Sequence, residues 1–207
     1  MDVPDWLDDE TAAWATALAA RLHPAPTAPV IAGHGLRSAA VLVPVRVGIG
    51  LPEVMFLVRP QAMKTHAGQV AFPGGRVDAD DASATAAALR ETEEELGILR
   101  TIPLVLGALP MVTAPSGYSI TPVVALLPSR VTVTPSPAEV DSHFSVPLEL
   151  LQDPRQRRTM LGTRRGTTDA TTAPLHFWVH TPAVIWGVTG HILDRFLDNV
   201  PARSDRR

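Results

Sequence analysis

Apolar residues fall into two kinds of run along the chain. Val- and Leu-rich stretches at 38–47 and 53–59 read as strands, and Gly48 to Pro52 turns the chain between them as a hairpin. Further strands are expected at 103–109, 119–127 and 174–180, with a short one before Pro147-Leu148. Three stretches instead carry helical spacing. Residues 5–22 place Leu7, Trp14, Leu18 and Leu22 on one stripe, with Asp5 as the expected N-cap. Residues 82–96 form a second helix, with Asp81 as cap or first-turn acid and Gly97 as its natural stop. Residues 182–199 form a third, burying Ile185, Trp186, Ile192, Leu193 and Phe196. Between these elements, 60–71, 113–117 and 153–166 read as irregular, and 24–29 (Pro-Ala-Pro-Thr-Ala-Pro) reads as a stiff linker. The first helix packs on the domain or on a second subunit, which leaves a homodimer open.

Composition narrows the function. A chain of 207 residues with 45% apolar content suits one domain with a sizeable core and short additions. A net charge of -3 gives no general surface for nucleic acid or membrane, so neither is an expected partner. With 0 cysteines there are no disulfides, thiolate metal sites or cysteine nucleophiles. The acidic N-terminus (Asp2, Asp5, Asp8, Asp9, Glu10) is unlike a targeting peptide, and no apolar run is long enough to span a bilayer. The expected location is cytoplasmic.

The candidate chemistry sits in Arg90-Glu91-Thr92-Glu93-Glu94-Glu95-Leu96-Gly97. On a helix, Glu91 and Glu95 share one face and Glu94 lies beside them. Arg90 stands one turn before Glu94, within pairing reach. Thr92, Leu89 and Leu96 can pack inward, and Glu93 points elsewhere. The plain alternative is a solvated charged face. Such faces interleave both signs, because like charges at i,i+4 cost a few tenths of a kcal/mol. A hard divalent cation, which prefers carboxylate oxygen, would offset that cost.

With the Phe72-Pro73-Gly74-Gly75 turn ahead of it, this stretch resembles the signature of the Nudix hydrolases, Gly-x5-Glu-x7-Arg-Glu-U-x-Glu-Glu-x-Gly-U, U being aliphatic. Thr92 replaces one aliphatic, Asp81 stands in the first Glu position, and Arg90 comes one residue late. That extra residue, and an upstream pattern through Arg59, Lys64 (in place of Arg), Gly68 and Phe72, resemble the coenzyme A pyrophosphatase subgroup. Leu57 and Pro60 depart from its Thr and Ser/Ala. Gly117-Tyr118-Ser119-Ile120-Thr121-Pro122 is similar to a further segment of the subgroup.

The resemblance implies an α/β Nudix fold, a mixed sheet between helices in α/β/α layers. The chain is then expected to divide into an N-terminal helix and Pro-rich linker at 1–29, a Nudix hydrolase domain at 30–200 and a disordered tail at 201–207. It implies Mg²⁺ or Mn²⁺ held by Glu91, Glu94 and Glu95, with Arg90 orienting a carboxylate and Glu94 or Glu139 as base. Arg59, Lys64, Gly74 and Gly75 would bind a small-molecule nucleotide substrate, the glycines by letting amides approach a phosphate. The implied reaction cuts coenzyme A or acyl-coenzyme A into adenosine 3′,5′-bisphosphate and the (acyl) 4′-phosphopantetheine. The alternatives are a Nudix hydrolase of ADP-ribose, NADH or a nucleoside triphosphate, and a binding module without turnover. His66 is a structural histidine or a phosphate contact. The arginines of 155–165 form a surface loop or attract a 3′-phosphate.

Overall fold

In the computed structural model, which describes residues 4–28, 33, 35–48, 52–63, 66–163, 172–179 and 181–202, the spine is strand β1 (Arg37–Val47). It pairs in parallel along its whole length with β7 (Tyr118–Pro128). On its other edge it pairs antiparallel with β2 (Glu53–Val58) and, nearer its start, with β4 (Gly74–Arg76). β3 (Val70–Ala71) and β8 (Ser142–Pro147) flank β2, while β5 (Leu104–Ala108) and β6 (Val112–Ala114) flank β7. One parallel and several antiparallel ladders make the mixed sheet that the resemblance implies.

Both faces of the central strands are apolar, and the period of two sorts their side chains. Ala40, Leu42, Val123 and Ala125 meet Ala84, Ala87 and Ala88 of helix α2 (Ala84–Leu96). Val43, Val45, Val54, Phe56, Val124 and Leu126 point the opposite way. There they pack under helix α1 (Asp9–Ala19), the short α3 (Leu148–Gln152) and α4 (Gly187–Asn199). The three alanines of α2 bring its backbone close to the sheet, and so bring the acidic stretch against β4.

α1 packs on this same domain, burying Trp14, Ala15 and Leu18 in its core. Each large side chain so placed contributes roughly 1.5–3 kcal/mol. The Trp14 indole N–H donates to Pro201 O at 3.3 Å, tying α1 to the segment after α4. Within the Pro-rich stretch, Pro26 reaches α2, where its O accepts from Thr85 Oγ1 at 2.7 Å. The part of the expected tail from 203 on lies outside the described residues.

Several boundaries differ from the expectations, each for a local reason. α1 begins after Asp8, not Asp5, because the Asp8 carboxylate accepts the Thr11 amide at 2.7 Å. α2 is capped by Ser83, whose Oγ accepts the Ala86 amide at 3.1 Å, and Asp81 is bonded elsewhere. Residues 157–163 are a strand, β9, paired antiparallel with β10 (Thr172–Trp178) over α4, not a loop. The fully buried Trp178 anchors this hairpin and donates its indole N–H to Leu151 O at 3.0 Å. Trp186 is not core: it is 43% exposed at the N-cap of α4 and stacks on Phe177. Among the described residues, no helix is long and apolar enough to cross a membrane.

Candidate active site

α2 ends where Gly97 takes a left-handed φ of 65° and its N–H reaches Glu93 O. Next to this end runs the 134–140 loop, fastened to the helix by two backbone bonds. Thr134 N donates to Leu96 O at 2.8 Å and Ser136 N to Glu95 O at 2.9 Å. β4 lies against the same helix from the other side. Two segments, the 134–140 loop and β4, therefore flank the last two turns of α2.

Glu95 is the most enclosed of the acids, 4% exposed. Its Oε2 accepts the Gly74 amide at 2.8 Å, and its Oε1 stands 4.0 Å from Arg59 Nη2. Burial pushes its carboxyl up to about 7, against the opposing pull of the Gly74 amide and Arg59, with Glu91 and Glu139 adding to the rise. Glu91 is also raised, again mainly by burial. Glu139 is exposed at the far end of the 134–140 loop, yet its charge acts on both Glu91 and Glu95, which places it beside the cluster.

Arg90 binds the acids together. Its Nη1 donates to Glu91 Oε1 at 3.0 Å and to Glu94 Oε2 at 2.9 Å. Its Nε and Nη2 hold the two oxygens of Asp81, both at 3.0 Å, and Nη2 also donates to Arg76 O at 3.1 Å. Asp81 is thus the anchor of this guanidinium, and the Arg90 hydrogen bond holds its carboxyl below the usual range. Asp81 was missed as a site residue because an acid just before a helix reads as a cap. Its place in the first Glu position of the signature is the signal that marks it, and the structure shows its partner there to be Arg90. Glu93 is turned away and pairs with Arg100.

The two glycines do different work from that expected of them. The Gly74 amide is committed to Glu95 instead of facing a phosphate. Gly75 makes room for Glu91: a Cβ there would stand 2.4 Å from Glu91 Oε1. Arg59, Gly74, Gly75, Arg90, Glu91, Glu94, Glu95 and Glu139 are therefore gathered in one place. Lys64 lies outside the described residues, as do Arg164 and Arg165. Arg155 and Arg157 pair with Asp153 and Asp194, away from the acids. His66 has a φ of 58° and its Nδ1 lies 2.9 Å from Gln69 Oε1, so it takes part in the turn before β3.

The donor set is all oxygen, exposed on one side and with a Cβ-free floor, which fits a hard divalent cation such as Mg²⁺ or Mn²⁺. Among the described residues no three His, Asp or Glu side chains already converge as a cage. Arg90 Nη1 instead holds an oxygen each of Glu91 and Glu94.

Replacing Arg90 by Lys keeps one charge but removes the fork that serves Asp81, Glu91 and Glu94 together. The expected result is a fall of about 10- to 100-fold in kcat/KM, the usual effect of losing a group that orients ligands. Stability should fall by about 1–3 kcal/mol from lost charged hydrogen bonds. Steady-state kinetics and urea unfolding of the same samples check both.

A mixed sheet with an acidic helix held over a Gly-Gly turn is the arrangement that the Nudix resemblance implies. The chain belongs to the Nudix family: the NUDIX domain matches residues 36–163. It is 37% identical to the uncharacterized Nudix hydrolase NudL of Photorhabdus laumondii over 164 residues, 79% of this chain and 85% of that protein. It is 41% identical to the uncharacterized NudL of Citrobacter koseri over 158 residues, covering 76% of this chain and 79% of the other. A MutT/nudix family protein from Enterococcus faecalis shares the fold, with a TM-score of 0.52 and 16% identity over 83% of this chain and 64% of that one. The chain is thus a Nudix hydrolase acting on a nucleotide derivative.

Proposed function

We propose that the substrate is coenzyme A or an acyl-coenzyme A, cut at its pyrophosphate to adenosine 3′,5′-bisphosphate and the (acyl) 4′-phosphopantetheine. The observation that carries this reading is the contact between Arg59 and Glu95, 4.0 Å apart. It sets the stretch that resembles the coenzyme A pyrophosphatases directly on the acidic helix. A pyrophosphate repels an incoming water or hydroxide by its own charge. Glu91, Glu94 and Glu95 would hold a divalent cation, which would supply neutralisation of that charge and would lower the pKa of a water.

The chain's own groups do the rest. Arg90 fixes Glu91 and Glu94, and the Gly74 amide fixes Glu95. Arg59, only 24% exposed at its side chain, turns its positive charge toward the site, where it binds a substrate phosphate. Glu139, on the loop fastened to Glu95 and Leu96, accepts the proton of the attacking water. Glu94, 50% exposed at its side chain, is the other candidate for that proton.

A second reading, hydrolysis of ADP-ribose or NADH, is favoured by Pro60 and Lys64, where the subgroup pattern has Ser/Ala and Arg. A panel of coenzyme A, acetyl-coenzyme A, ADP-ribose, NADH and a nucleoside triphosphate separates the two, with Mg²⁺ or Mn²⁺ and products read by mass. Release of adenosine 3′,5′-bisphosphate, with coenzyme A the best substrate, is expected. Preferential cleavage of ADP-ribose or NADH would keep the acidic helix and discard the upstream assignment.

A further inference from the structure

If the substrate carries a phosphate monoester on its nucleoside, some cationic group should meet it. Two arginines at the start of the β9–β10 hairpin are already held, Arg155 by Asp153 and Arg157 by Asp194. Two other arginines are gathered with no such partner. Arg37, the first residue of β1, stacks its guanidinium over the Tyr118 ring at 4.1 Å from the centroid, and its Nη2 donates to Ser116 O at 3.2 Å. Arg76, the last residue of β4, donates from Nε to the Tyr118 hydroxyl at 3.1 Å. Among the described residues, no carboxylate pairs with either.

The arrangement is built on strands. Arg37 faces Tyr118 across the parallel ladder, and Arg76 faces Ala39 two residues along β1. Two guanidinium groups brought to one phenol repel each other, in a chain with 21 acids to 18 bases. The Tyr118 hydroxyl satisfies one N–H of Arg76, and Ser116 O one N–H of Arg37. The remaining N–H groups of both exposed side chains are available to an anion. The cluster also adjoins the acids. Arg76 follows Gly75, the floor under Glu91, and Arg76 O accepts from Arg90 Nη2 at 3.1 Å.

We propose that Arg37, Arg76 and Tyr118 form an anion subsite that takes a phosphate monoester on the nucleoside of the substrate, separate from the pyrophosphate that is cut. This rests on the coenzyme A reading for the identity of the monoester, the 3′-phosphate. Forked guanidinium groups match phosphate oxygens, and the Tyr118 ring holds one fork in place. The subsite sets specificity and does not touch the reacting atoms.

The test compares coenzyme A with dephospho-coenzyme A, which lacks only that phosphate, for the wild type and for Arg37→Gln/Arg76→Gln. Arg21→Gln/Arg130→Gln, two exposed arginines elsewhere, controls for net charge. The wild type should favour coenzyme A. The Arg37/Arg76 pair of changes should reduce the ratio of kcat/KM values about 10- to 100-fold, mostly through KM. The control should keep the ratio. Equal use of both substrates by the wild type, or an unchanged preference in the Arg37/Arg76 variant, overturns the subsite while leaving the coenzyme A reading intact.

Should neither substrate be cleaved, the coenzyme A reading fails, and calorimetry still decides the subsite. Adenosine 3′,5′-bisphosphate should bind the wild type at least about 10-fold tighter than adenosine 5′-phosphate, and the Arg37/Arg76 variant should lose that difference. Equal binding of the two nucleotides to the wild type overturns the proposal.

Discussion

Glu95→Gln is expected to abolish metal-dependent turnover, by on the order of 10³-fold, and to leave the protein folded. The side chain is buried, and an amide of the same shape can still accept the Gly74 N–H that Glu95 accepts at 2.8 Å. What it loses is the negative charge that a cation would need. The same change alters stability in a direction that a merely structural residue would not show. Burial pushes the Glu95 carboxyl from 4.5 up to about 7.

Between those two values the native protein keeps a proton that the unfolded chain has released. The stabilisation from protonated Glu95 is therefore complete below pH 4.5 and is lost as pH rises through about 7. At 1.36 kcal/mol per pH unit, the full loss is on the order of 3 kcal/mol. In a chelating buffer the wild type should lose that stability between about pH 4.5 and about pH 7, and Glu95→Gln should not. Above pH 7 the variant should be the more stable protein, as read by urea unfolding. Added Mn²⁺ should restore the wild type alone, because a cation favours the ionised carboxylate.

The second large effect is expected at Gly74. Its φ is 149°, and a Cβ would stand 2.3 Å from Ala40 O and 2.6 Å from Val41 Cα. Both are backbone atoms of β1, which is held by β7 on its other edge, so neither can give way. Gly74→Ala must push β4 off β1 and carry the Gly74 amide away from Glu95. About 3–5 kcal/mol of stability should be lost, in the range of severe core disruptions. Turnover should fall at least 10²-fold even at temperatures where the variant is folded, since Glu95 loses its fixed donor. Gly33→Ala is the contrast: nothing stands within 4 Å of a Cβ there, and unfolding by heat should show little change.

The long strands β1, β2, β5 and β7 were legible because each is an apolar run set off by Gly or Pro, whereas the short β3, β4 and β6 lie in stretches that read as irregular or as a turn and are strands only through their ladders with β2, β1 and β7. The acid helix was legible because alanines and carboxylates repeat at helical spacing. β9 was not. Arg155, Arg157 and Arg158 give it the look of a solvated loop, and what makes it a strand is remote: its ladder with β10 and the pairing of Arg157 with Asp194 on α4. The same holds for Asp81. Locally it resembles a helix cap, but Ser83 is nearer to the free amides, and Arg90 offers Asp81 a two-pronged charged partner.

The site shows the same division. Sequence spacing singled out Glu91, Glu94, Glu95 and Arg90 as candidates, and the structure adds what each is held by. The use of the Gly74 amide by Glu95, and of the space over Gly75 by Glu91, required coordinates, since a Gly-Gly pair alone is equally a turn or a phosphate cradle. Trp186 departs from the expectation because both it and Ile185 precede the helix in extended backbone: Ile185 bridges Trp178 and is buried, and its neighbour Trp186 is exposed.

The most direct test of a cation held by these acids is a titration with Mn²⁺ followed by electron paramagnetic resonance at pH 7.5, without substrate. The wild type should deplete the free-ion signal, Glu91→Gln and Glu95→Gln should not, and Glu93→Gln, whose carboxylate pairs with Arg100, should behave as the wild type. Equal Mn²⁺ uptake by the wild type and Glu95→Gln would contradict the assignment of this helix as the metal site.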